Sequence, residues 1–145
     1  MLLWIPLFLV GILYTIKCRR LNSEIPINTI EEGLAIWHGQ CIIINSKAKI
    51  GKNFSISAHC CVGQAHGEFP ILGDNIEMTI DSKILGGITI ANNTTVGAGS
   101  IVLKDVLEEH TTLGGIPAKV ISRKPNENMI SKQFKINAKL LKYSC

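Results

Sequence analysis

From Leu72, every sixth residue is apolar: Leu72, Met78, Ile84, Ile90, Val96 and Val102. Stepping back by six from Val62 gives Ile56, Ile50 and Ile44, all β-branched. A period of six suits neither an amphipathic helix nor one long alternating strand. Three six-residue units close one triangular coil, and stacked coils bury their inward aliphatics as a column that no single coil can bury alone. The reading is an all-β core, a left-handed parallel β-helix running from about Ile42 to Val102. The two series differ in phase by four residues, which places an inserted loop between Gly63 and Ile71. Small residues follow several slots (Gly51, Gly63, Gly73, Ala91, Gly97), and Asn53, Asn75, Asn92 and Asn93 occupy turn positions. Both types suit tight corners, asparagine because it tolerates left-handed backbone.

The 145 residues fit one domain. Hydrophobic residues make up 46% and the mean hydropathy is +0.26, but the excess is concentrated at the start. Residues 2–16, LLWIPLFLVGILYTI, carry no charge, and Lys17, Arg19 and Arg20 follow them. The run is short for a spanning helix. It lacks the leading basic residue and cleavage site of a signal peptide. It packs on the domain or a sister subunit, lies on or dips into a membrane, or is part of a longer helical N-terminus. The organisation is thus 1–24, an apolar helix and basic linker; 25–123, the β-helix; and 124–145, a Lys-rich tail. Ile130, Phe134, Ala138 and Leu141 put a helical stripe in that tail.

The net charge of +4 is modest, and the basic runs lack interleaved aromatics. Nucleic acid is therefore not an expected partner. The five cysteines form no spaced framework and read as free thiols. Cys60 and Cys61 beside His59 raise the idea of a thiol nucleophile, which needs a lowered pKa and a paired base. His38, His59 and His66 fall in different contexts, so no metal site is expected. Asp74 reads as a turn support.

Three stretches carry a family likeness. The first is Gly33 to Asn45, in which His38 precedes an aliphatic run. The second is Lys49 to Gly63, a loop ending in Pro70, and a restart at Leu72-Gly-Asp-Asn75. The third and most specific is Val96-Gly-Ala-Gly-Ser-Ile-Val, then His110-Thr-Thr and Gly114-Gly-Ile-Pro-Ala-Lys119. Over about residues 25–123 the chain resembles the hexapeptide-repeat acyltransferases, and within them the serine acetyltransferases and similar polysaccharide O-acetyltransferases. The resemblance implies a homotrimer, acetyl-CoA as co-substrate in a cleft between subunits, and a cytoplasmic location, peripheral to the membrane if residues 2–16 touch it. It also implies direct transfer of acetyl to a hydroxyl, with a histidine as general base and no acyl-enzyme. L-serine is the leading acceptor and a sugar or envelope polysaccharide the alternative; a non-catalytic scaffold is a further reading.

His38 stands at the family's histidine. Stepping back six from Ile44 also lands on it, a polar residue in an otherwise aliphatic slot. His66 in the loop is the first candidate acceptor-site residue and His59 the second. Phe69 precedes Pro70 where the serine enzymes have a second histidine. The family's orienting aspartate falls at Ser23, so Glu24 beside it is the first acidic candidate, with Glu31 and Glu32 nearby. Trp37 replaces a small or acidic residue, and Asn45 resembles the sugar-acting branch. For the coenzyme, Gly97, Ala98, Gly99 and Ser100 offer approachable backbone, Gly115 and Pro117 shape a closing turn, and Lys119 suits a phosphate.

Overall fold

The computed structural model describes residues 4–124. The helical stripe expected in the tail lies outside them. Helix α1 (Trp4–Arg20) precedes thirteen short strands. In order these are β1 (Ala35–Ile36), β2 (Ile43–Ile44), β3 (Lys49–Ile50), β4 (Ser55–Ile56), β5 (Cys61–Gly63), β6 (Ile71–Leu72), β7 (Glu77–Met78), β8 (Lys83–Leu85), β9 (Thr89–Ile90), β10 (Thr95–Val96), β11 (Ile101–Val102), β12 (Thr112–Gly114) and β13 (Lys119–Ser122).

The strands form three parallel faces of a solenoid. One face runs β2-β5-β8-β11 and the second β3-β6-β9. The third runs β1-β4-β7-β10-β12 and is closed by antiparallel β13. Ile43 pairs with Cys61 and Thr95 with Glu77, each 18 positions apart, the length of three six-residue units. All ten residues of the two aliphatic series are buried. They stack in register, Ile44 on Val62 on Ile84 on Val102 along the first face.

Two departures from 18 matter. Cys61 pairs with Lys83, and Lys49 with Ile71, 22 positions on. The four extra residues are the expected insertion, which leaves the corner between β5 and β6 as a loop. Ala35 pairs with Ser55, 20 positions on. The partner of Ile56 in the first coil is therefore Ile36, and His38 is exposed. The expectation that His38 fills an aliphatic slot is corrected: two extra residues between β1 and β2 place it on an outer corner. The solenoid also begins earlier than Ile42, since Glu24 bridges to Ile43 and Ile30 to Ile50.

The corners follow their chemistry. Asn53, Asn75, Asn93 and His110 have positive φ, between 55° and 59°, at one corner of successive coils. The Asn53 amide donates to Asn75 Oδ1 at 3.0 Å, and the Asn75 amide to Asn93 Oδ1 at 2.9 Å. Asp74 supports the turn as expected: its Oδ1 accepts the Lys52 N–H at 2.8 Å. Gly51 is required there, because a Cβ would lie 2.3 Å from that same oxygen.

The ladder makes a prediction. Asn75→Ala loses two side-chain hydrogen bonds and keeps a Cβ in left-handed backbone, whereas Asn75→Gly loses the same bonds and removes that Cβ. In urea unfolding, Ala should cost about 2–4 kcal/mol and Gly about 1 kcal/mol less. Equal losses would show that the backbone conformation is not under strain.

Candidate active site

The corner leading from the third face to the first carries most of the candidate residues. Asn22, Cys41, His59, Asp81 and Gly99 stack along it, all with positive φ, and each later one donates its N–H to the carbonyl just before its predecessor. His38 lies three residues before Cys41. Ala98 and Gly99 lie exposed on the same edge. Three coil steps separate Cys41 from Gly99, about 14 Å at the usual strand spacing.

The turn bearing His38 is fixed on both sides. Before it, the Trp37 N–H donates to Ile56 O at 3.0 Å, and its indole Nε1 donates to the Oγ of buried Ser55 at 2.9 Å. After it, the Ser23 hydroxyl donates to Gly39 O at 2.6 Å and accepts the Ile42 N–H at 3.0 Å. Ser23 itself is buried. An exposed imidazole thus projects from a pinned backbone, which suits a base that must meet its substrate without reorganisation. The holding role of Ser23 and Trp37 was not read from the sequence. The one signal was that Ser23 falls at the position of the family's orienting aspartate.

The candidate coenzyme residues gather at the far end of the same edge. The Gly115 N–H donates to Ser100 Oγ at 3.1 Å, the Ile101 N–H to Gly115 O at 3.1 Å, and the Ala118 N–H to Ile101 O at 2.8 Å. The Gly115–Ala118 turn, which holds a cis Ile116–Pro117 bond, therefore sits against Ser100. Lys119 follows, exposed, opposite Gly114. The roles within the group differ. Gly97 is a packing glycine, because a Cβ would lie 2.8 Å from Leu113 O. Ser100 is buried and engaged by the turn. Ala98 and Gly99 have open surroundings at the edge, and nothing lies within 4 Å of a Cβ built on Gly99.

Two candidates lie elsewhere on the chain. His66 and Gly67, with φ of 54° and 81°, are the tip of a two-residue hairpin in which Ala65 and Glu68 exchange N–H···O bonds. This primed-turn geometry favours glycine at the second position. The hairpin lies over Gly87, where a Cβ would come within 2.5 Å of the Glu68 side chain. Lys47 Nζ stands 5.0 Å from the Phe69 ring centre and braces the loop from the coil before. The loop occupies the corner between the first and second faces, so one protomer does not bring His66 to His38. Glu24 is exposed on the first face, paired through its backbone with Ile42 and Ile44. Among the described residues no hydrogen bond or ion pair joins Glu24 to His38.

The thiols are not built as nucleophiles. Cys60 is buried with its Sγ 3.0 Å from Thr79 O, and burial pushes the Cys61 thiol pKa up. His59 Nδ1 is 3.8 Å from Asp81 Oδ1 at the exposed edge. Among the described residues no group of three His, Cys, Asp or Glu side chains gathers that could hold a metal ion.

No family model matches the chain. Individual relatives do. The serine acetyltransferase of Bacillus pumilus is 34% identical over 100 residues, covering 66% of this chain and 46% of the relative. A solved soybean serine acetyltransferase complexed with serine superimposes with a TM-score of 0.58 at 32% identity, covering 64% of this chain and 40% of the other. A serine acetyltransferase in complex with CoA gives a TM-score of 0.60 at 25% identity, covering 69% and 42%. The chain spans less than half the length of these relatives. These relatives, together with the solenoid of stacked six-residue coils, show that the chain belongs to the serine-acetyltransferase-like hexapeptide-repeat acyltransferase family.

Proposed function

We propose that the protein transfers an acetyl group from acetyl-CoA to a hydroxyl acceptor, with L-serine as that acceptor. One observation carries this reading. A single edge of the solenoid holds an exposed imidazole on a pinned turn at one end and, about 14 Å along from Cys41, open backbone at Ala98 and Gly99 backed by the Gly115–Lys119 turn. An extended pantetheine arm has that kind of reach. CoA lies along the edge, its phosphates toward Lys119 and its thioester toward His38. Relatives solved with CoA and with serine support the choice of both ligands.

In the reaction, an imidazole nitrogen of His38 takes the proton from the acceptor hydroxyl as its oxygen attacks the thioester carbonyl. The tetrahedral intermediate collapses, the C–S bond breaks, and the CoA thiolate leaves and takes up the proton. No acyl-enzyme is required. The bonds at Trp37 and Gly39 keep the turn that bears the imidazole in place through the attack.

A solenoid edge is convex and cannot close around a substrate alone. A second protomer supplies the missing wall in a homotrimer of this chain, and its hairpin corner brings His66 to the acceptor side. In a cyclic trimer each interface pairs one edge with a different edge of the neighbour.

A sugar acceptor is the second reading. Phe69, braced by Lys47, stands where the serine enzymes have a histidine. An aromatic ring in that place suits the apolar face of a pyranose.

CoA release from acetyl-CoA with L-serine, homoserine and several sugars separates these readings. Turnover on serine is expected; turnover on glycans alone would replace serine with the second reading. His38→Ala should lower kcat by about 10²–10⁴-fold with CoA binding retained, and full activity in it would remove His38 as the base. Ser23→Ala should lower kcat by about tenfold with little change in KM, because it frees the turn without touching substrate.

Subunit mixing tests the shared site. His38→Ala and His66→Ala chains, each inactive alone, should recover about one quarter of wild-type activity when co-expressed in equal amounts, since one interface in four then holds both histidines. No recovery would mean that the two histidines do not meet across subunits.

A further inference from the structure

Helix α1 is seated the wrong way round for a helix of a water-soluble domain. Such a helix turns its large aliphatics toward the core and its polar residues outward. Here the side toward the solenoid is made of Gly11, Tyr14, Thr15 and Cys18. Tyr14 Oη donates to Ile25 O, and burial pushes the Tyr14 pKa up to about 12. Tyr14, Thr15 and Cys18 line a cavity of about 560 Å³ against Ser23, Glu24 and Ile43. The large residues lie on its flanks and outer side: Val10 and Leu13 border an open apolar groove with Ile25 and Ile36, and Phe8, Ile12 and Ile16 border another with Ile25 and Ile27, yet all stay exposed to solvent. Phe8, Val10 and Leu13 are 70%, 62% and 66% exposed, and Leu9, Ile12 and Ile16 are exposed as well.

At 100° per residue, Phe8, Leu9, Val10, Ile12, Leu13 and Ile16 spread over more than half the helix circumference. A second helix would cover only a stripe of that surface, whereas lipid wets all of it. The charge pattern agrees. Residues 2–16 carry no charge, and Lys17, Arg19 and Arg20 form the last turn, all exposed. Cations at one end of an apolar helix match the anionic headgroups of a membrane surface. The seventeen residues span about 26 Å, less than the roughly 30 Å hydrocarbon core. No described helix is long and apolar enough to cross a membrane.

We infer that α1 docks the protein on an anionic lipid bilayer, entering the hydrocarbon of one leaflet while Lys17, Arg19 and Arg20 contact the headgroups. The inference rests on α1 alone and is independent of the acetyl-transfer reading. The solenoid then stands at the membrane surface, held close to it by the Tyr14–Ile25 bond and the donation of the Cys41 N–H to Leu21 O at 2.9 Å.

Vesicle flotation tests it. Full-length protein in mild detergent is mixed with vesicles of phosphatidylcholine alone or with added phosphatidylglycerol, the detergent is removed, and the vesicles are floated on a density gradient. Wild-type protein should float, more tightly with the anionic vesicles. Replacing Lys17, Arg19 and Arg20 by Gln should weaken partitioning onto anionic vesicles by about 100-fold at low salt, and about 0.5 M salt should erase that difference. L9D/L13D should abolish flotation while the thermal melt of the solenoid stays unchanged. Wild-type protein left at the bottom of the gradient with both vesicle types, as a defined oligomer or as aggregate, would overturn the inference. So would an L9D/L13D protein that floats like wild type. A soluble oligomer that L9D/L13D dissociates would instead assign α1 to a second copy of the chain.

Discussion

The interior column of aliphatic side chains exists only if each coil returns to the register of the coil beneath it. Ile44, Val62, Ile84 and Val102 meet because the backbone between them completes whole turns, and any residue beyond that length must leave the wall at a corner. Each buried aliphatic contributes about 1.5–3 kcal/mol, so slipping the register to absorb an insertion would cost several such contacts at once. Extra residues are therefore expelled outward. The two between β1 and β2 become the turn that displays His38, and the four between β5 and β6 become the hairpin that displays His66. The proposed chemistry sits where the repeat is interrupted because only there is the chain released from the core.

The same constraint explains the rigidity of the edge. Corner residues are locked to those above and below by backbone donation, and the side chains of Asn53, Asn75 and Asn93 extend the lock. The His38 turn is two residues longer than its neighbours, and Ser23 and Trp37 hold the extra length, one bonding its backbone and the other anchoring in Ser55. At the other end Ser100 does a similar service for the Gly115 turn.

Much of this was legible in the sequence. The aliphatic slots were, because burial at a fixed period leaves a direct trace in residue type. The four-residue phase jump located the hairpin corner, and asparagines marked left-handed turns. The register of the first coil was not legible. Stepping back six from Ile44 reaches His38, but β1 pairs two residues out of step, so Ile36 takes that level. An end coil stacks on one side only, so Ile36 stays partly exposed and the repeat is weakly specified there. The holding bonds were not legible either, since Ser23 meets Gly39 and Trp37 meets Ser55 across a coil. Resemblance offered Glu24, next to Ser23, as an acidic partner for the base; its backbone is in the first face, and among the described residues no bond joins it to His38. The tie between the Gly97–Ser100 corner and the Gly115–Lys119 turn runs through Ser100 and Ile101, contacts that no spacing in the sequence signals.

We propose that one edge of the solenoid holds both the base and the coenzyme, and a crystal structure of the full chain with CoA bound is the decisive test. The CoA sulfur is expected beside the His38 imidazole, the pantetheine arm running past His59 and Asp81 to Ala98 and Gly99, and the phosphates near Lys119. CoA bound on the second or third face, or with its sulfur away from His38, would contradict it.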